Sequence, residues 1–270
     1  MLNEVLLPAA VLGSMGAIFG LVLGIAAIMF HVDKDPRIAE VREVLPGANC
    51  GGCGQPGCDA LAEAMVNGTL PPNACPVGGS AVAAMVAEIL GLDAGETVRK
   101  VASVKCKGTS ETCTYNFEYY GIKDCKEAAL VQGGNKTCAF GCLGYGSCVT
   151  ACQFDAISVS SDGVAIVDPD LCTSCGACVK ACPKNVIELV PYGKDTQILC
   201  NSNDKGRVVR DACKVGCITC GLCAKNCAQE AITIDEEKNL PIIDFDKCIE
   251  CGVCAEKCPQ KTIKSIVKVS

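Results

Sequence analysis

Residues 172–183 read CTSCGACVKACP, and residues 248–259 read CIECGVCAEKCP. Both carry the spacing C-x2-C-x2-C-x3-C-P, and no other feature of the chain limits so tightly what it can fold into. The two short gaps let three thiolates reach one cuboidal iron–sulfur core. The fourth cysteine departs into the next element, where it can ligate a neighbouring core. Residues 217–228, CITCGLCAKNCA, repeat the run through Cys217, Cys220, Cys223 and Cys227, with alanine in place of the proline. Residues 138–153, CAFGCLGYGSCVTACQ, give a stretched version through Cys138, Cys142, Cys148 and Cys152, with the first and second gaps widened.

The segments downstream of the runs repeat too. After the fourth cysteine come QFDAISV, PKNVIEL, AQEAITI and PQKTIKSI, each a helical turn leading into an alternating, strand-like segment. The stretches 153–171 and 228–247 each hold a turn (SSDG, EEKN) and then AIVDPD or PIIDFD. That is the half-unit of a two-cluster ferredoxin, so the chain is expected to carry two tandem ferredoxin-like modules. Cross-ligation then assigns the thiolates. In the first module Cys138, Cys142, Cys148 and Cys182 hold one [4Fe–4S] cluster, and Cys172, Cys175, Cys178 and Cys152 the other. In the second, Cys217, Cys220, Cys223 and Cys258 hold one, and Cys248, Cys251, Cys254 and Cys227 the other. Zinc is the competing metal, but its sites usually pair two C-x2-C knuckles across a longer gap.

An odd cluster stands before these. Residues 47–65, GANCGGCGQPGCDALAEAM, and Cys75 give Cys50-x2-Cys53-x4-Cys58-x16-Cys75. It has no partner run, so its four cysteines must close on a single cube. An isolated zinc site is the alternative for this spacing. The glycines permit a tight loop, and DALAEAMV is good helix that carries the chain away before PPNACP returns Cys75. Metal centres are needed for order here: the chain has 25 cysteines in 270 residues, no tryptophan and 4% aromatics, few large side chains for an ordinary core. Its net charge of −6 and pI near 5.0 argue against nucleic-acid binding.

From Val5 to Phe30, 26 residues pass without a charge, long enough to span a bilayer. A cleaved signal peptide fits poorly, because no Lys or Arg precedes the apolar run and the run is too long. Lys34 and Arg37 follow it and only Glu4 precedes it, so the rest is expected on the cytoplasmic side of the cell's inner (cytoplasmic) membrane, a reducing compartment that disfavours disulfides. Gly16, Gly20 and Gly24 line one face of the span, where a second helix could approach, although glycine is also simply common in membrane helices. The single histidine, His31, reads as an interfacial residue.

Residues 35–65, DPRIAEVREVLPGANCGGCGQPGCDALAEAM, behind an N-terminal span and ahead of ferredoxin repeats, resemble the B subunits of Rnf complexes. Those complexes are ion-translocating oxidoreductases of bacterial and some archaeal membranes. The single-cluster motif alone also occurs in corrinoid iron–sulfur proteins; the order of parts makes the match, and the two modules fit the longer members. The resemblance implies an electron-transfer subunit of a ferredoxin:NAD oxidoreductase complex. Such a subunit would accept electrons from soluble ferredoxin and relay them to membrane-embedded subunits, coupled overall to NAD reduction and Na+ or H+ transport, with the single-cluster domain as the last relay before the membrane. The alternative is a membrane-anchored polyferredoxin subunit of a hydrogenase or dehydrogenase complex. No strand-linked G-x-G-x-x-G, P-loop or flavin motif is present, so NAD and flavin are expected on other chains.

The expected fold is α+β: a transmembrane anchor (1–31), a single-cluster [4Fe–4S] domain (32–92), a linker or insert with extra cysteines (93–137), and ferredoxin modules over 138–199 and 200–270. Five clusters use 20 cysteines and leave Cys106, Cys113, Cys125, Cys200 and Cys213. Cys106 and Cys125 precede the first module and Cys200 and Cys213 the second. Those four could hold a sixth cluster or a zinc, or stay free thiols packed as small hydrophobes, with Cys113 the odd one out. Docking of an acidic ferredoxin asks for a basic face, which Lys105, Lys107, Lys123, Lys126 and Lys136, or Lys205, Arg207, Arg210 and Lys214, could supply.

Overall fold

A computed structural model describes residues 2–30 and 35–265. His31 and Lys34 lie outside the described residues. The charge-free run forms one helix, α1 (Leu2–Met29), of 28 residues. At 1.5 Å per residue that is roughly 42 Å, more than the ~30 Å of a bilayer's hydrocarbon. Its Val11–Met29 portion has a mean hydropathy of 2.3 and none of it is buried. A methyl group on Gly16, Gly20 or Gly24 would meet nothing within 4 Å, so that face lies open among the described residues.

Three helices make the next unit: α2 (Pro36–Val44), α3 (Cys58–Val66) and α4 (Gly79–Leu90). Proline occupies the first turn of α2, where its missing N–H costs nothing, and Asp35 caps that turn by accepting from the Arg37 amide. The apolar positions of the three helices meet in a core of Val41, Leu45, Leu61, Ala62, Met65, Val82 and Val86, into which Cys58 and Cys75 are also buried. Arg42 of α2 pairs with Asp59 of α3 at 2.7 Å, fixing the first against the second.

The remainder is built from short elements: β1 (Lys100–Val104), α5 (Cys125–Leu130), α6 (Ser147–Thr150), β2 (Ile157–Val159), β3 (Ala165–Val167), α7 (Ala177–Ala181), β4 (Ile187–Pro191), β5 (Gln197–Ile198), α8 (Gly206–Ala212), α9 (Leu222–Lys225), β6 (Ile232–Asp235), β7 (Leu240–Ile243), α10 (Val253–Glu256) and β8 (Ile263–Lys264). Two repeats of one plan emerge. Each has a hairpin, β2–β3 or β6–β7, and an antiparallel pair joining an entering to a closing strand, β1 with β4 or β5 with β8. The segment 93–137, expected as a linker or insert, therefore donates β1 to the first module's sheet. Likewise β5, inside the span expected for the first module, pairs with the last strand of the second. The two modules dock: the Ser103 hydroxyl of β1 bonds the Gln197 side chain of β5, and Lys107 donates to the Lys261 carbonyl.

The backbone repeats at finer grain. Ser174, Thr219 and Glu250, each directly before the second cysteine of a regular run, are left-handed, with φ of 65°, 52° and 56°. So are Asp155, Asn185, Glu230 and Lys261, three residues past each fourth cysteine. Gly141, directly before Cys142 in the stretched run, is not. Non-glycine residues enter this region rarely, so the pattern marks loops wrapped by tertiary demand rather than local preference.

Candidate iron–sulfur centres

The core of the first module mixes Ala102, Val104, Ile157, Val164, Ala165, Val186 and Ile187 with Cys142, Cys148 and Cys178. That of the second mixes Ile198, Ile232, Ile243 and Ile263 with Cys223 and Cys254. Thiols thus stand where an ordinary small domain would put large apolar side chains, and they gather in six groups.

Cys50, Cys53, Cys58 and Cys75 ring one pocket, walled by Pro46, Leu61 and Val77. The Asn49 side chain accepts from the Cys58 amide at 2.8 Å, fixing the loop to the start of α3, and the Gly78 amide donates to the Cys75 sulfur at 3.4 Å. Cys152, Cys172 and Cys175 lie around Cys178, and the Ala102 amide of β1 reaches the Cys172 sulfur at 3.4 Å. In the second module Cys217, Cys220, Cys223 and Cys258 line one pocket. Cys248 and Cys251 flank Cys254, with Cys227 and Cys248 packed against the same core.

The stretched run differs. Cys142, Cys148 and Cys182 do share a pocket, but the fourth thiol lining it is Cys125, not Cys138. Local geometry accounts for this. Asp124 caps α5 by accepting from the Lys126 amide at 2.7 Å, and the Ser147 hydroxyl of α6 donates to the Asp124 carboxylate at 2.7 Å and accepts from the Cys125 amide at 2.8 Å. These bonds hold Cys125 at the start of α5, against the helix that carries Cys148. Cys138 instead lines a pocket between the modules with Cys106, Cys113, Cys200 and Cys213. The structure thus groups Cys125 with Cys142, Cys148 and Cys182, and both Cys138 and Cys113 with Cys106, Cys200 and Cys213. The signal that could have found Cys125 was its own helix start, DCKEAAL, with aspartate at the cap.

Neighbouring groups touch through the backbone. The Cys142 amide donates to the Cys106 sulfur at 3.3 Å, and Cys217 lies beside Cys200. The Cys106–Cys200 group therefore sits between the Cys148 group and the Cys217 group.

The surroundings fit thiolate-bound clusters. Burial pushes the Cys178, Cys254, Cys200 and Cys138 thiols up to about 11 and Cys148 to about 12. Bare thiolates are costly in such places, and a cationic metal core supplies the missing compensation. Cys113 and Cys213 are neighbours, and each thiol acts on the other, holding Cys113 up and Cys213 down. Beside them Lys136, buried, donates to the Gly108 carbonyl at 2.8 Å and brings positive charge to the pair. Among the described residues no three of Cys, His, Asp and Glu converge closely enough to hold a single ion, whereas a cube spreads its four thiolates over its corners.

Comparison with known proteins matches these parts. A family model described as "Putative Fe-S cluster" covers residues 45–77, a "4Fe-4S dicluster domain" covers 216–262, and a "4Fe-4S binding domain" covers 165–188. The chain is 52% identical to the B subunit of the Na+-translocating ferredoxin:NAD+ oxidoreductase complex of Acetobacterium woodii, over 92% of this chain and 74% of that one. It is 44% identical to the B subunit of an ion-translocating oxidoreductase complex of Methanosarcina acetivorans, over 84% and 86% of the two chains. This chain belongs to the B-subunit family of ion-translocating oxidoreductase complexes. A third member, from the proton-translocating ferredoxin:NAD+ oxidoreductase complex of Clostridium ljungdahlii, is 46% identical over 90% of this chain and 85% of that one.

For a member of this family, the basic groups named from sequence resolve unequally. In the first set Lys136 is buried and Lys105 pairs with Glu188 at 3.2 Å, while Lys107, Lys123 and Lys126 are exposed. Lys205, Arg207, Arg210 and Lys214 are all exposed, on and beside α8.

Proposed function

We propose that this chain is the electron-relay subunit of an ion-translocating ferredoxin:NAD oxidoreductase, taking electrons from reduced ferredoxin and delivering them to membrane-embedded partner subunits. Bound [4Fe–4S] clusters would supply one-electron carriers at each thiol group. The ligand sets are Cys50, Cys53, Cys58 and Cys75; Cys152, Cys172, Cys175 and Cys178; Cys125, Cys142, Cys148 and Cys182; Cys217, Cys220, Cys223 and Cys258; and Cys227, Cys248, Cys251 and Cys254. A sixth centre lies between the modules and draws on Cys106, Cys138, Cys200 and Cys213, with Cys113 beside Cys213. Two ferredoxin-like modules follow the single-cluster domain, each taking in the strand that precedes it. Helix α1 anchors the chain as a single pass in the cytoplasmic membrane, with the thiol groups on the cytoplasmic side, where Lys34 and Arg37 follow the span. NAD and the translocated ion fall to other subunits, and exposed Arg207 and Arg210 offer ferredoxin a basic approach.

One observation carries this reading: the thiols gather in neighbouring groups, and at the seam between the modules the Cys142 amide of one group donates to the Cys106 sulfur of the next, with Cys200 of that group beside Cys217. An enzyme working at one centre has no use for such an array; a conductor does. The names of the matched relatives favour an ion-translocating complex over a hydrogenase or dehydrogenase polyferredoxin. The test is iron, acid-labile sulfide and zinc per chain on full-length protein purified without oxygen. About 24 iron and 24 sulfide without zinc are expected, four of each per cube. About 20 of each would remove the centre between the modules, and stoichiometric zinc would replace it with a structural ion.

A further inference from the structure

The helical domain and the first ferredoxin-like module meet at the loop that carries Cys50 and Cys53. Gly52 lies within the Cys50–Cys58 loop, and a methyl group there would sit 2.7 Å from the Cys175 carbonyl oxygen and 3.1 Å from the Cys175 Cα. It would also press on the Pro76 ring at 3.1 Å. Real methyl groups do not approach backbone that closely, so the two ligand loops touch main chain to main chain only because residue 52 is glycine. Its backbone is not left-handed, unlike that of Gly51 at φ 67°; close approach alone requires glycine here. Lys180, between Cys178 and Cys182, spans the same seam by donating to the Gly51 carbonyl at 3.3 Å.

We propose that the Gly52–Cys175 contact is the electron junction between the helical domain and the modules, with Gly52 and Lys180 as its positioning residues. This rests on reading the two flanking thiol groups as [4Fe–4S] sites. It makes the Cys172 group, not the Cys148 group, the one that exchanges electrons with the Cys50 group. Single electrons cross: what one thiolate-bound centre loses the other gains, and no bond is made and no proton moves. Gly52 works by absence, since any side chain there must push the two ligand loops apart. Lys180 holds the loops together without touching either set of sulfurs.

The test uses full-length protein, loaded with iron and sulfide without oxygen, in three variants: Gly52→Ala, Lys180→Glu and Cys50→Ser. The readouts are iron per chain, the magnetic broadening between paramagnetic centres in the fully reduced protein, and the rate at which a rapidly injected electron redistributes. Cys50→Ser identifies the broadening due to the Cys50 group by removing it. In Gly52→Ala we expect unchanged iron, a clear loss of that broadening and a several-fold slower redistribution; Lys180→Glu gives a smaller change in the same sense. Wild-type broadening and rate in Gly52→Ala at full iron would overturn the junction. Should Gly52→Ala load poorly, Lys180→Glu decides alone, and wild-type behaviour there overturns the proposal. If Cys50→Ser loses no iron, the reading of the Cys50 group itself is wrong and the junction falls with it.

Discussion

At the scale of single residues, the informative pair is Cys125 and Cys138. Spacing assigns Cys138 to the stretched run because it stands first in line, yet the pocket holding Cys142, Cys148 and Cys182 is lined by Cys125. Chain proximity is a good guide only when a loop is too short to choose, as in C-x2-C-x2-C. Once the gaps widen, a capped helix can deliver a thiol from further away, and the Asp124–Ser147–Cys125 bonds do so. Nothing in the linear sequence announces a hydrogen bond between residues 23 apart. Two substitutions separate the assignments. Cys125→Ser is expected to remove about four iron per chain and the signal of the Cys148 centre. Cys138→Ser should leave that centre intact and weaken the one between the modules, and electron paramagnetic resonance with iron analysis on both variants tells them apart.

At the scale of elements, the regular runs were legible because each dictates its own backbone: left-handed residue, cysteine, short helix, strand, repeated with little variation. The role of β1 was not legible. KVASV is an ordinary strand-forming stretch, and only pairing with β4, in the register Val101 to Val190 and Val104 to Ile187, makes it part of a module. That register also turns the Ala102 amide away from β4 and onto the Cys172 sulfur. Proline is tolerated on the free side of an edge strand, so Ala102→Pro should fold while losing that single N–H···S bond. Such a bond favours the more negative, reduced centre, and at about 1 kcal/mol its loss should lower that centre's potential by roughly 40 mV. A redox titration followed by paramagnetic resonance reads the shift, and an unchanged potential would mean the bond is absent in the loaded protein.

At the scale of the whole molecule, two kinds of order coexist. The helical domain has a conventional apolar core around Leu61, Met65, Val41 and Val86, and it would keep much of that core without metal. The modules rest on two-stranded sheets, which are marginal alone, and on cores whose members are the proposed ligands. Stripping iron with a chelator should therefore unfold residues 100–265 while the region 36–90 survives, a contrast limited proteolysis would display as one resistant fragment. If the stripped modules stayed resistant, their order would come from packing, and the metal would be a passenger. The succession of thiol groups has a further consequence. If each proposed group carries a cluster and electrons pass through them in turn, the throughput of the array is set by its weakest member. Cys220 and Cys251, the exposed thiols of the second module, meet dissolved oxygen first. On the proposed reading, oxidation of a centre there would cut off the carriers beyond it, so these two sulfurs are where air is expected to act first on the chain.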